Sequence, residues 1–316
     1  MLLYISKRLA ATVLVIVAAS MLTFLILNLI PGVTPIMILK YAFIGLEEVP
    51  NDSEIATIIE RFNLNDPLYK QYFRWLMEVL GGNLGTSYVY GLPVSTLLLS
   101  KLPATVLLAA TSTVFSLVIS IPLGIVSAIN RNTLIDHFCR LGSLFFVSMP
   151  NFWLGLILII IFSLKLDLFP VTGYGKLEHL VLPCLTLGSG MAAVTTRVMR
   201  SSMLEVLNQD YIITARAKGL SETIVIFRHA VRNALLPVIT VAGLQFGHLL
   251  GGSVIVETVF SWPGVGKLLV DSILARDIPL IQGCILLIAT AYALINLFVD
   301  LFYALLDPKI RYGRGL

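Results

Sequence analysis

The side chains most able to ligate a metal or share a catalytic proton are few in this 316-residue sequence, and their spacing does not assemble them. His137, His179, His229 and His248 fall in four different segments, with no HxxxH pair to face one ion. Cys139, Cys184 and Cys284 stand far apart without a CxxC spacing, each in or beside an apolar run, so they read as small buried hydrophobes. No metal site is expected. A phosphate-cradling GxxxxGK[ST] loop is absent, as are GxSxG and HExxH. No residue is therefore assigned a catalytic role, and no cofactor is expected in the chain. The long apolar stretches also lack the intramembrane carboxylate that proton- or sodium-coupled carriers use. Whatever this chain moves must be driven from elsewhere.

The elements that would position any function are membrane spans. Hydrophobic residues make up 57% of the chain and charged residues 13%, with a mean hydropathy of +0.92, whereas soluble domains carry about 25% charge. The surplus must face lipid or other helices. A net charge of +4 is too slight and dispersed for nucleic acid. Residues 9–30, 102–130, 141–164, 180–196, 233–256 and 278–299 lack Asp, Glu, Lys and Arg over roughly the 20 residues that a bilayer requires. Six transmembrane helices follow. Residues 1–8, 131–140, 197–232 and 300–316 carry 13 of the 22 basic residues and the longer remaining segments carry 9, so both termini are expected in the cytoplasm. The first apolar run is longer than a signal-peptide core and lacks a convincing cleavage site, so it is read as a retained span.

Two loops have patterns of their own. After the first span, Asp66 as N-cap and Pro67 in the first turn open a helix with Leu68, Tyr72, Trp75, Leu76 and Val79 on one face, stopped by Gly81 and Gly82. Within 197–232, Asp210 starts a helix through Ala215 and Ala217, with Arg216 and Lys218 near its end. Gly219 stops it and Ser221 caps a second short helix. The small Ala215 and Ala217 would admit a partner closely, and Gly219 allows a sharp turn. In the fifth span Gly243, Gly247 and Gly251 recur every four residues, a face for close helix packing within or between subunits. Ser148, Asn151, Gln245 and His248 are the polar residues placed to line a translocation path, and Pro150 interrupts the third span.

Residues 211–237, with TARAKGL and then RHAVRNALLP, resemble the cytoplasmic loop of binding-protein-dependent ABC importer permeases of the dipeptide, oligopeptide and nickel group. The general pattern of that loop is EAA, three residues, Gly, nine residues, Ile, one residue, Leu-Pro. Here Ile213 and Thr214 replace its Glu and first Ala, and 18 positions rather than 13 separate Gly219 from Pro237, departures typical of the peptide and nickel group. ISKRLAATVLVIVAASMLTFLILNLIPG resembles the family's first span, LNDPLYKQYFRWL its outer helix and SMPNFWLGLILI its third span. GGSVIVETVFSWPGVGKLLVDSILARDIPLIQG and NLFVDLFYALLDPKIRY resemble its later segments. The end of the first span differs: the family's Pro-Gly-Asp-Pro is replaced by Pro31, Gly32, Val33, Thr34 and Pro35, with loss of an acidic residue.

The resemblance implies an all-α, MetI-like permease of the bacterial cytoplasmic membrane. Residues 1–101 would hold the first helix and an extracellular helical segment, and 102–316 a five-helix core with the coupling loop 197–232. It implies import of peptides, or of nickel or another metal in a chelate, by a heterodimer with a homologous permease. An external solute-binding protein and two ATPase subunits would complete the machine, with ATP and Mg on the ATPases. Thr214, Ala215, Arg216, Ala217, Lys218, Gly219 and Leu220 would couple the ATPases to the spans. A self-sufficient channel or secondary carrier is the alternative, disfavoured by the missing carboxylates and by this loop.

The charge distribution predicts that 31–101 and 197–232 lie on opposite sides of the membrane. Cysteines placed at Ser53 and Ser221 should react with an impermeant reagent from opposite faces. Labelling of both from one face would end the six-span topology.

Overall fold

Backbone crossing lipid must satisfy every N–H and C=O within its own segment, which for a single chain of this pattern means helices. The computed structural model describes residues 2–29 and 66–306 and is helical throughout its long elements. Among the described residues β pairing is confined to a bridge between Thr86 and Pro93. In chain order the helices are α1 (Leu2–Leu29), α2 (Leu68–Leu80), α3 (Val94–Ile129), α4 (Leu134–Ser148), α5 (Asn151–Leu158), α6 (Leu177–Leu207), α7 (Asp210–Ala217), α8 (Glu222–Ile224), α9 (Val231–Gly252), α10 (Val254–Val259), α11 (Val265–Ala275) and α12 (Ile278–Leu306). A π-helical stretch, Ile159–Lys165, prolongs α5, and a second, Val225–Ala230, joins α8 to α9.

Five helices are long and apolar enough to cross a membrane: Ile5–Leu29, Val94–Ile129, Leu177–Leu207, Glu222–Gly251 and Ile278–Phe302. The expected third span, 141–164, is not one helix. It is divided between α4 and α5, which with its π-helical extension meets α4 at 102°, so the pair counts as a sixth crossing only if its two halves form one span. The cause is local: Met149 and Pro150 are extended (φ −85°, ψ 122° and φ −62°, ψ 134°), because proline lacks an N–H and drives its predecessor out of the helical region. The second span starts eight residues earlier than expected, at Val94, and the short fourth lengthens to 31 residues.

Three local expectations need correction. The second short helix after Ser221 is not separate, since α8 and its π-helical continuation form the first turns of the fifth span. That span ends at Gly252 rather than 256, and Val254–Val259 follows Ser253 as a separate short helix, α10. Pro67 sits before α2 in extended backbone rather than within its first turn, and the Asp66 carboxylate accepts a hydrogen bond from Arg74 instead of capping the helix. The corner at Val33 and Thr34 lies outside the described residues.

Packing is organised by small side chains. Ser112, Ser116, Ser120 and Gly124 recur every four residues on α3, all buried, and face α6. A Cβ on Gly124 would stand 2.5 Å from the Met199 Cβ, and one on Gly188 2.5 Å from the Phe115 ring. The two longest core helices therefore touch nearly backbone to backbone. α1 joins the bundle along α12, with an Arg8–Asp300 ion pair at 3.0 Å. α2 lies against α1, where Ser20 and the Tyr72 hydroxyl are 2.9 Å apart and Phe24 contacts Tyr72 and Trp75.

The glycine stripe of α9 faces α12 of the same chain. Cβ atoms on Gly243, Gly247 and Gly251 would lie 2.7 Å from Val299, 2.9 Å from Ile295 and 3.0 Å from Ile288. Because the branched Ile295 cannot easily retreat, Gly247→Ala should destabilise the chain by about 1–3 kcal/mol. Combining it with Ile295→Ala should recover at least about 0.5 kcal/mol relative to the sum of the single losses. Thermal unfolding of the detergent-solubilised complex measures this, and strictly additive losses would contradict the contact.

Candidate functional site

The segment from α7 to α8 projects from one end of the bundle. Gln209 is extended (φ −80°, ψ 149°) and its carbonyl accepts from the Ile212 and Ile213 amides, starting α7 at Asp210 as expected. Thr214 donates to the Asp210 carbonyl at 2.9 Å. At the other end Gly219 adopts φ +77°, a conformation that costs a residue with a Cβ and none to glycine. The chain then reverses through Ser221 into α8. Arg216 bridges the reversal with two hydrogen bonds to Glu222, at 2.7 and 3.3 Å, and that carboxylate holds the guanidinium above its usual pKa. Both partners are exposed, so the pair sets geometry more than stability.

The inner face of α7 is anchored. Ile212 is fully buried and Ala215 is 6% exposed, both within a cluster made by Ile125 and Ala128 of α3, Met199 and Met203 of α6, and Val225, Ala230, Ala234 and Val238 from the start of the fifth span. The smallness of Ala215 thus serves close approach to this chain's own spans. Thr214, Arg216, Ala217, Lys218, Gly219 and Leu220 remain exposed, forming a continuous outer edge. Of the two alanines singled out from the sequence, Ala217 alone faces outward. Asn233 donates to the Tyr211 hydroxyl at 3.0 Å, tying α7 to the first turn of α9.

Behind this cluster stands a buried carboxylate that sequence reasoning missed. Asp136 accepts from Arg200 through Nε and Nη2, both at 2.7 Å, from Ser127 at 2.6 Å and from the Asn132 amide at 3.0 Å. It clamps α3, α4 and α6 at the end that carries α7. Two more lie at the opposite end. Glu257 accepts from Thr105 at 2.8 Å, Ser253 at 2.9 Å and the Lys267 amide at 3.0 Å, while Thr105 also accepts from the Val265 amide at 2.8 Å. Trp262 packs beside it and donates to the Ala104 carbonyl at 2.9 Å. Asp277 accepts from Ser87 and from the Tyr88 and Val89 amides, and caps α12 through the Leu280 amide at 3.4 Å. All three carboxylates are fully buried.

The residues proposed for a path are divided among α4, α5 and α9. Ser148 and Asn151 flank the Pro150 break and are exposed, Asn151 lying beside Gly190 of α6. Five residues further along α6, Thr195 donates to half-buried Gln245 at 3.0 Å. His248, one turn beyond Gln245 on α9, is exposed. Among the described residues no three His, Cys, Asp or Glu side chains gather as a metal site would require.

Comparison with known proteins agrees in sequence and in shape. Residues 120–312 match the family described as binding-protein-dependent transport system inner membrane component. The oligopeptide transport system permease protein AppB of Bacillus subtilis is 41% identical over 98% of this chain and 99% of its own length. The glutathione transport system permease protein GsiC of Salmonella paratyphi A is 42% identical over 99% of this chain and all of its own. Among solved structures, an inward-facing MetNI methionine ABC transporter aligns with a TM-score of 0.56 at 19% identity, over 67% of this chain and 97% of that one. That likeness gives the fold, a MetI-type permease bundle.

The Glu257 network predicts a graded response. Glu257→Ala strands the Thr105 and Ser253 hydroxyls and the Lys267 amide in a dry site, and should cost at least about 2 kcal/mol. Glu257→Gln keeps one acceptor and the shape, and should cost less. Unfolding midpoints of the purified protein check the order; an unchanged midpoint for the alanine variant would contradict the network.

Proposed function

Because this chain belongs to the binding-protein-dependent transport system inner membrane components, the multi-pass permease subunits of ABC importers, we propose that it forms half of a peptide translocation pathway and is driven through α7. Family membership places ATP hydrolysis on separate subunits and no cofactor in this one. It likewise implies ATPase, binding-protein and second-permease partners. The finer reading is a heterodimer with a homologous permease, served by two ATPase subunits, with both termini and the α7 segment in the cytoplasm. The excess of basic residues on those segments supports that orientation.

The observation that carries the coupling role is the two-sided character of α7. Its outer edge, Thr214, Arg216, Ala217, Lys218, Gly219 and Leu220, is open to a partner, while Ile212 and Ala215 wedge its inner edge between α3, α6 and α9. A helix held this way passes a push from an ATPase subunit into three spans at once. A solvated basic loop would absorb it. Ala215 then acts as the anchor, and the other six residues meet the ATPase.

For the cargo, the relatives named above transport oligopeptides and glutathione, which favours a peptide over nickel or another metal chelate. Ser148, Asn151, Gln245 and His248 supply hydrogen-bonding groups suited to peptide amides without a fixed charge. Residues 1–101 are read as an addition to a five-helix core of 102–316. The solved permease chain supports this, being 97% covered while accounting for 67% of the present one.

In the reconstituted importer, Ala217→Trp should abolish ATP-dependent peptide uptake by blocking close docking, and Gly219→Pro should do so by disturbing the turn, with membrane abundance retained. Uptake and abundance measured together test this. Normal uptake in both variants would remove α7 from the coupling path, and uptake of a nickel chelate but no peptide would overturn the cargo assignment.

A further inference from the structure

A groove runs between α4 and α6 at the end of the bundle that carries α7, opening as two lobes of about 490 and 390 Å³ that share Arg140 and Arg197. His137 and Arg140 enter it from α4, and Arg197 from α6. Arg200 also borders it, but its guanidinium is taken up by Asp136. Among the described residues neither Arg140 nor Arg197 has a carboxylate within ion-pair distance, so the groove holds two uncompensated positive charges. Like charges converging on one site are stabilised by an anion between them, and the guanidinium fork matches the oxygens of a phosphate.

The walls say what kind of anion. Beyond Arg140, in the direction of the Pro150 break, Leu141 and Leu144 line the groove while 63% and 56% exposed, and Phe145 continues the apolar track at 57%. Among the residues of α4 that line the groove, basic side chains therefore come first, at His137 and Arg140, and apolar surface second, at Leu141 and Leu144, the order of headgroup and acyl chain in a phospholipid. A free anion would use the arginines alone. We infer that this groove binds an anionic phospholipid, its phosphodiester between Arg140 and Arg197 and an acyl chain along Leu141 and Leu144. Basic pockets between membrane helices serve anionic headgroups in this way. Through Arg200 and Asp136 the bound lipid would adjoin the clamp behind α7, a role separate from ATPase docking.

The test uses the assembled importer in detergent, incubated with an equal mixture of phosphatidylglycerol and phosphatidylcholine and examined by native mass spectrometry. Wild type should retain phosphatidylglycerol selectively. Arg140→Gln with Arg197→Gln should lower that retention about tenfold or more, as expected for loss of charge-assisted hydrogen bonds. Arg131→Gln with Arg228→Gln, which removes equal charge outside the groove, should retain it. Leu141→Asn with Leu144→Asn should also weaken lipid retention. Three results would overturn the inference: no selective retention by wild type, equal retention in the groove and control variants, or displacement by millimolar inorganic phosphate with no effect of the leucine changes, which marks a free-anion site. Retention is read without substrate or ATP, so a failure here leaves the coupling role of α7 untouched, and the reverse also holds.

Discussion

Close approach of α3 and α6 is the constraint on which the rest of the bundle depends. Lipid offers no hydrophobic gain for bringing two apolar helices together, so they associate through van der Waals contact where side chains are small enough. The buried series Ser112, Ser116, Ser120 and Gly124 on α3, met by Gly188 and the stem of Met199 on α6, provides that contact over about three turns. With these helices fixed, α9 lies on α12 through its glycine face and α1 along α12. Small residues set the closest helix approaches, and many large apolar side chains such as Leu14, Phe138 and Phe298 remain exposed for lipid and partners.

Each end of this frame is closed by a buried carboxylate rather than by more apolar surface. Asp136 joins α3, α4 and α6 at the α7 end, and Glu257 and Asp277 hold the opposite end through hydroxyls and amides of distant segments. An unpaired buried carboxylate would be costly, so each site is satisfied by at least three donors. The result is that two of the three helices supporting α7, α3 and α6, are themselves tied together through Asp136 of α4. Displacement applied to its outer edge has little slack to cross before it reaches them.

The spans were readable because lipid imposes one pattern, a long run without charge, and the α7 helix was readable from Asp210 and Gly219 at its two ends. The 102° break was readable only as an interruption, since proline announces a kink but its angle is set by what α4 and α5 pack against. The carboxylate sites were not legible. Their donors lie as far away as Thr105 from Glu257 and Ser87 from Asp277, and no local pattern records such pairings. The serine series on α3 carried the same four-residue interval as the glycines of α9 and could have been found by the same rule. The burial of Ala215 was hidden because a small residue suits a partner's cleft and a crowded core equally well.

The central claim, that α7 transmits force because its inner face is wedged in the bundle, is tested most directly by the ratio of peptide imported to ATP hydrolysed in the reconstituted importer carrying Ile212→Ala. Removing this fully buried side chain leaves the exposed edge of α7 unaltered while loosening its anchor. ATP hydrolysis should persist while the transport ratio falls several-fold, at equal abundance of the assembled complex. A ratio equal to wild type would show that the anchor carries no force, and would contradict the account.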